Sequence, residues 1–169
     1  MKPPLRHGSA DDFQTPDYAL GPLLRYLRRE WTVWECACGR GNLAAGLRRR
    51  GFTVLATDVA EGHDFLSWEP RRFDCVITNP PFKYKDDFIR RCYLLGKPFA
   101  LLLPLTTFET PKRQRMFQEY GVEVIFLDRR INFETPRRVV ESSSWFATAW
   151  FTFGLGIGQQ LSFAQLICE

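Results

Sequence analysis

The sequence predicts an α/β fold, a doubly wound and mostly parallel sheet with an antiparallel strand toward the carboxyl end. Three observations carry this prediction. Short apolar, strand-like runs alternate with helical segments along the chain, the pattern of βαβ units. FALLLPL at 99–105 is a continuous apolar run, of the kind that forms a strand buried on both faces. The unusual stretches, CACGRG and NPPF, both fall where a strand ends, which is where open α/β sheets bind ligands.

In chain order, residues 1–12 read as a loose segment, and 13–169 as one domain. Thr15-Pro16 reads as an N-cap followed by proline at the first helical position. Behind it, Leu20, Leu23, Leu24 and Leu27 recur at helical spacing, with an interruption near Gly21-Pro22. WTVWE forms the first strand, and the glycine-bearing CACGRG turns into a helix over 42–50 that Gly51 closes. Strands follow at 52–57, ending in Asp58, and at 73–78. A helix spans 86–95 up to Gly96, and a strand takes 99–105. Thr110-Pro111 opens another helix that Gly121 ends; strands at 122–127 and 145–153 complete the pattern. The tail from Gly154 is read as an antiparallel return or an edge segment.

Composition narrows the class. A chain of 169 residues with 45% apolar content can bury one core and leaves little room for a second domain. No apolar run approaches the roughly 20 residues of a membrane helix, and the amino terminus lacks a signal-peptide core, so a cytoplasmic protein without membrane contact is expected. The five cysteines and two histidines show no zinc-ligand spacing, so no metal is expected and the thiols read as buried and reduced. Net charge is +4. The arginine clusters at 28–29, 48–50 and 90–91 read as solvated helix ends. Arg129, Arg130, Arg137 and Arg138 flank a stretch without helical periodicity and read as phosphate contacts.

Two motifs carry chemistry. ECACGRG places Gly39 and Gly41 between a strand and a helix, where the backbone can turn sharply and a ligand can approach closely. Gly-x-Gly alone is equally a tight turn. Glu35 at the end of the first strand and Asp58 at the end of the second add acceptors suited to ribose hydroxyls. With no phosphate-binding signature, a nucleoside without phosphates fits better than a dinucleotide. Asp64 beside Phe65 could read an adenine ring by its amino group and face, or could simply cap a turn. The second motif is TNPPFKY at 78–84. Two prolines lack the N–H donor and lock φ, so they fix a rigid corner with an amide at one end and an aromatic at the other.

Together these features resemble the class I (Rossmann-like) S-adenosylmethionine-dependent methyltransferases that modify the adenine amine. Asn79-Pro80-Pro81-Phe82 matches that family's four-residue catalytic motif. ECACGRG is similar to its cofactor motif, which implies cofactor contacts at Glu35, Cys36, Ala37, Gly39 and Gly41. Phe13, Thr15 and Pro16 in FQTP resemble the amino-terminal motif that closes over the cofactor's methionine end. Asp64-Phe65-Leu66 looks like the adenine-contacting motif, and Asn79 is expected to border both ligands. The resemblance spans roughly residues 13–153.

The resemblance implies transfer of a methyl group to the N6 amine of adenine in nucleic acid, with DNA favoured over RNA. Phe82 would stack on a flipped or unpaired base. Phe133 falls where a second aromatic meets that base, unless it packs under its loop. Lys83, Lys85 and the four arginines named above would meet the nucleic-acid backbone. No interval is long enough for a target-recognition domain, so the layout is similar to small phage-type enzymes. Specificity then comes from short loops, from a homodimer or recognition partner, or is weak. Other readings are a protein-glutamine methyltransferase, whose motif is NPPY, or a silent binding subunit. A dehydrogenase fits poorly, because Ala44 stands where its third glycine would be.

Overall fold

The computed structural model describes residues 13–134 and 146–167. The chain enters through a 3₁₀ turn, Asp17–Leu20, that runs into the short helix α1 (Gly21–Leu24). Then come β1 (Thr32–Glu35), α2 (Asn42–Arg49), β2 (Thr53–Ala56), β3 (Cys75–Thr78), α3 (Lys85–Leu95), β4 (Phe99–Pro104), α4 (Pro111–Tyr120), β5 (Glu123–Leu127), β6 (Thr148–Phe153) and β7 (Leu161–Ala164). They form one seven-stranded sheet in the order β2-β1-β3-β4-β6-β5-β7. The first four pair in parallel, and β6 lies antiparallel between β4 and β5. The expected α/β sheet is therefore present, with β6 as its antiparallel strand.

Strand alternation explains the core. Val33, Ile77, Leu102, Ile125 and Trp150 point to one face, and their neighbours Trp34, Val76, Leu101, Val124 and Phe151 to the other. The first face is covered by Leu20, Leu23, Leu43 and Leu47 from the amino-terminal turns and α2. The second is covered by Phe88, Ile89 and Cys92 of α3 and Phe117 of α4. Both faces are dry, which is why β4 is buried along its whole length. The two buried indoles find partners: Trp34 Nε1 donates to Thr57 Oγ1 at 2.8 Å and Trp150 Nε1 to the Ala19 carbonyl at 2.9 Å.

Along the sheet, β1 leads outward to β2 on one side, and β3 leads to β4 on the other. The order in which strands are added reverses between the parallel neighbours β1 and β3, a topological switch point whose carboxyl end opens a crevice for ligands.

Two expectations need correction, and a third is met. The helix after FQTP starts later than Thr15: Pro16 is its cap residue, no side chain caps it, and Thr15 is buried beside the cleft instead. The tail reaches the sheet edge as expected: β7 returns antiparallel to β6, on the far side of β5, and so pairs with β5 in parallel. Only the arginines at 48–50 sit at a helix end. Arg28 and Arg29 lie beyond the four-residue α1, covering Trp31 and Phe52, and Arg90 and Arg91 stand inside α3, paired with Asp87 and Glu69. No helix among the described residues is long and apolar enough to cross a membrane.

Candidate active site

A cleft of about 820 Å³ opens at the carboxyl ends of β1, β2 and β3. The glycine loop forms its floor. Gly39 and Gly41 both have positive φ, at 50° and 84°, conformations that cost a side-chain-bearing residue. The loop is suspended from the end of β2: Cys38 N–H donates to the Thr57 carbonyl at 3.1 Å, and Gly39 N–H to Asp58 Oδ2 at 2.9 Å. Asp58 Oδ1 accepts from Ala60 N–H at 3.0 Å, so this carboxylate orders the turn on both of its sides.

Glu35 ends β1 and is only 1% exposed. Burial pushes its carboxyl up to about 8, against the opposing effect of Ala37 N–H, which donates to it at 3.2 Å. The Cys38 thiol is likewise pushed up to about 11 by partial burial beside Glu35 and Asp58, so it is no thiolate nucleophile at neutral pH. Glu35, Asp58, Glu61 and Asp64 all line the cleft, and no basic side chain among the described residues does. The chemistry of this lining opposes a pyrophosphate and suits a ligand carrying positive charge.

Gln14 closes the cleft from above. It is 5% exposed, and its Oε1 accepts from Arg40 N–H at 3.1 Å. A Cβ on Gly39 would meet Gln14 Nε2 at 2.9 Å, so the amide fits into the space that glycine leaves. Gln14 also exchanges both backbone hydrogen bonds with Glu134 at 3.0 Å. This bridge ties the amino-terminal segment to the 131–134 loop.

Asn79 leaves β3 and lies at the cleft's edge, where its Nδ2 donates to the Phe13 carbonyl at 3.5 Å. Its Oδ1 is buried with no partner among the described residues. A buried acceptor left unmade is costly, on the order of 1–3 kcal/mol, unless a ligand supplies the missing donor. After the two prolines, Phe82–Tyr84 form a 3₁₀ turn that runs straight into α3. The turn is pinned by Tyr84 N–H to the Pro81 carbonyl at 2.9 Å and Lys85 Nζ to the Phe82 carbonyl at 3.2 Å.

Beside Asn79, four phenylalanines from distant parts of the chain converge. Phe13 lies 6.2 Å from Phe82, 5.4 Å from Phe133 and 5.8 Å from Phe146 by ring centroids. Phe146 meets Phe82 edge-on at 5.5 Å and stacks with Phe133 at 6.0 Å.

Of the residues assigned to the cofactor, Phe13, Thr15, Glu35, Cys36, Ala37, Gly39, Asp58, Asp64, Phe65 and Asn79 line the cleft. Pro16 and Gly41 do not; Gly41 instead caps α2, its carbonyl accepting from Ala45 N–H at 2.8 Å. Asp64 Oδ1 accepts from Leu66 N–H at 3.0 Å, the turn-capping arrangement. Phe65 is 2% exposed, packed on Trp34 and stacked on Phe88 at 4.7 Å, so little of its face is free for a ring. Of the NPPF residues, Asn79 and Pro81 line the cleft, while Pro80 is buried and Phe82 belongs to the aromatic cluster.

Among the basic residues, Lys83 is exposed over the Tyr84 ring. Arg130 is exposed, and Arg129 donates to the Leu166 carbonyl, which turns it toward the carboxyl-terminal strand. Arg137 and Arg138 lie outside the described residues. Sequence reading missed Gln14, Val59, Tyr84 and Phe146. Val59 and Tyr84 adjoin motif residues and were open to inference from adjacency, whereas nothing local marks Phe146.

No protein-family model matches the sequence, and no curated protein matches it. Solved structures do. A modification subunit assigned to a type I restriction enzyme of Vibrio vulnificus superposes on 96% of this chain with a TM-score of 0.56 at 13% identity. The chain has the class I methyltransferase fold. It spans about half of that subunit, 48% of its length. A candidate RNA methyltransferase from Pyrococcus horikoshii matches 80% of this chain and 77% of its own at 16% identity and a TM-score of 0.49. A dimethyladenosine transferase from Plasmodium falciparum matches 83% and 62% at 11% identity and the same score.

Proposed function

We propose that this methyltransferase-fold chain uses S-adenosylmethionine to methylate the N6 amine of adenine in nucleic acid, with DNA the favoured polymer. The observation that carries the proposal is Asn79 Oδ1, a buried and unpartnered acceptor at the border of a cleft lined by carboxyl groups. The cofactor, when bound, supplies a methyl group activated on a sulfonium. The chain's residues fit it: the positive-φ turn at Gly39 forms the floor of the cleft, Asp58 offers ribose hydroxyls an acceptor, and the carboxylates of Asp58, Glu61 and Asp64 favour a cation.

An aromatic amine is a poor nucleophile, because its lone pair is delocalised into the ring. Asn79 Oδ1 and the Pro80 carbonyl would each accept one of its N–H bonds, drawing the nitrogen toward sp³ and localising the pair. The prolines fix that carbonyl, and the 3₁₀ turn behind them leaves the corner little freedom. Phe82, with Phe13, Phe133 and Phe146 around it, offers an apolar enclosure for a base drawn out of its stack. Positioning and hydrogen bonding therefore supply the rate, and no side chain is required as a strong base at the outset. The two oxygen acceptors suit the N–H bonds of an adenine amine, and the Lys83 and Arg130 side chains suit a phosphate backbone.

The test offers labelled S-adenosylmethionine with duplex DNA, single-stranded DNA, RNA and protein, and identifies the modified residue by mass spectrometry. N6-methyladenine in DNA is expected. Asn79→Ala should lower transfer at least about 100-fold with cofactor affinity nearly unchanged, as for loss of one oriented transition-state contact. Asp58→Ala should weaken the cofactor first. Label confined to protein, or an active Asn79→Ala variant, would refute the reading.

A further inference from the structure

We infer that two copies of this chain join edge to edge through β7, antiparallel about a two-fold axis at Ser162. β7 is the last strand of the sheet, and among the described residues it pairs only with β5. Its inner side is firmly held. The Gln160 carbonyl accepts from Val124 N–H at 2.7 Å, the Ala164 carbonyl from Asp128 N–H at 3.0 Å, and Asp128 Oδ1 from Leu166 N–H at 3.0 Å. Backbone groups alternate in direction along a strand. Since Gln160 and Ala164 face β5, Leu161 and Phe163 turn their N–H and C=O groups outward, to an open edge.

The side chains at the same two positions are apolar and bare. Leu161 is 55% exposed and Phe163 83%, the latter's ring lying tilted 5.7 Å from that of Phe126. Natural edge strands are normally guarded by a lysine, a proline or a bulge. Here none is present: from Gly154 to Ile167 there is no charged residue and no proline, in a chain of which 25% is charged. The nearest carboxylates point inward, Asp128 to Leu166 and Glu123 to the amides of Ile157 and Gly158.

What fits such an edge is a strand that is itself unguarded, uncharged and apolar on alternate residues. A second copy offers that strand. Pairing about Ser162 places Leu161 opposite the partner's Phe163, and Phe163 opposite the partner's Leu161. These are the residues whose outward N–H and C=O groups an antiparallel pair exchanges, so hydrogen bonding and apolar contact select the same register. Gln159 then faces the partner's Gln165, and no like charges meet, which matters for two chains of net charge +4. The two sheets become continuous, and an isologous contact of this kind closes on itself instead of propagating.

Sedimentation velocity over a concentration series tests this directly. The wild-type mass should climb from 19.7 kDa toward twice that value. Phe163→Lys should keep its melting temperature, since the ring is exposed, and should raise the dimer dissociation constant by about tenfold or more. Amide hydrogen exchange on the wild-type chain gives an independent reading. Leu161 and Phe163 amides should gain protection as concentration rises and lose it in the variant. A wild-type chain monomeric throughout, with those amides exchanging freely, overturns the inference. So does a Phe163→Lys chain that dimerises as tightly as wild type.

Discussion

Glu35→Gln isolates the electrostatics of the cleft. Glu35 is inaccessible at the end of β1, and burial lifts its carboxyl from an ordinary 4.5 to about 8. The folded chain therefore holds a proton between those values that the unfolded chain has released. Stability must fall as pH rises across that window and level off above it. At about 1.4 kcal/mol per pH unit, the ceiling on this loss is roughly 5 kcal/mol between pH 4.5 and 8. Glutamine keeps the shape and the oxygen that accepts from Ala37 N–H, yet carries no charge to desolvate. The variant should flatten the pH dependence of stability and, at pH 8 without cofactor, exceed wild type by up to a few kcal/mol. For a chain of this size that is several degrees of melting temperature, at about 2–4 °C per kcal/mol. Thermal melts of both proteins at half-unit steps from pH 5 to 9 make the comparison. Parallel profiles would refute the argument, since they would mean that Glu35 ionises in the fold as it does in water.

Two further substitutions probe how the site is held. Gly39→Ala forces a side chain into φ 50° and pushes a Cβ against Gln14 Nε2, so it should cost about 1–2 kcal/mol in urea unfolding; an unchanged midpoint would show that the Gln14 amide gives way freely. Arg113 is 8% exposed and bonds Asp86 on α3 at 3.0 Å while also donating to the Thr106 and Thr107 carbonyls, so Arg113→Met should cost about 3 kcal/mol, and a loss below about 1 would mean that solvent already serves those partners.

The legible part of the fold was the part set by local periodicity. The strands before α2, α3 and α4 announced themselves as apolar runs ended by glycine or proline, and the structure moves their bounds by a few residues only. The strand partners were not legible. LSFA reads the same whether it pairs in parallel or not; what decides is the crossing of the 154–160 connection, with Glu123 accepting from Ile157 and Gly158 N–H before the strand and Asp128 from Leu166 N–H after it. The arginines at 28–29 and 90–91 failed as helix ends for a related reason. A four-residue helix has no stretch behind Arg28, and Arg90 pairs with Asp87 on its own helix.

The site divides along the same line. Asn79 and the glycine loop were legible because prolines and positive-φ glycines restrict the backbone whatever surrounds them. Phe65 lines the cleft, but an aromatic beside an acid is neutral between binding and packing until its neighbours are known, and Phe88 supplies the packing. The aromatic cluster is the opposite case. Phe13 and Phe146 lie far apart in the sequence and meet at 5.8 Å where the Gln14–Glu134 bridge holds the amino-terminal segment against the 131–134 loop. That bridge also sets Gln14 Oε1 on the glycine loop. One short segment thus touches the floor of the cleft with its amide and the aromatic cluster with its ring, so a substitution that shifts this segment disturbs both at once.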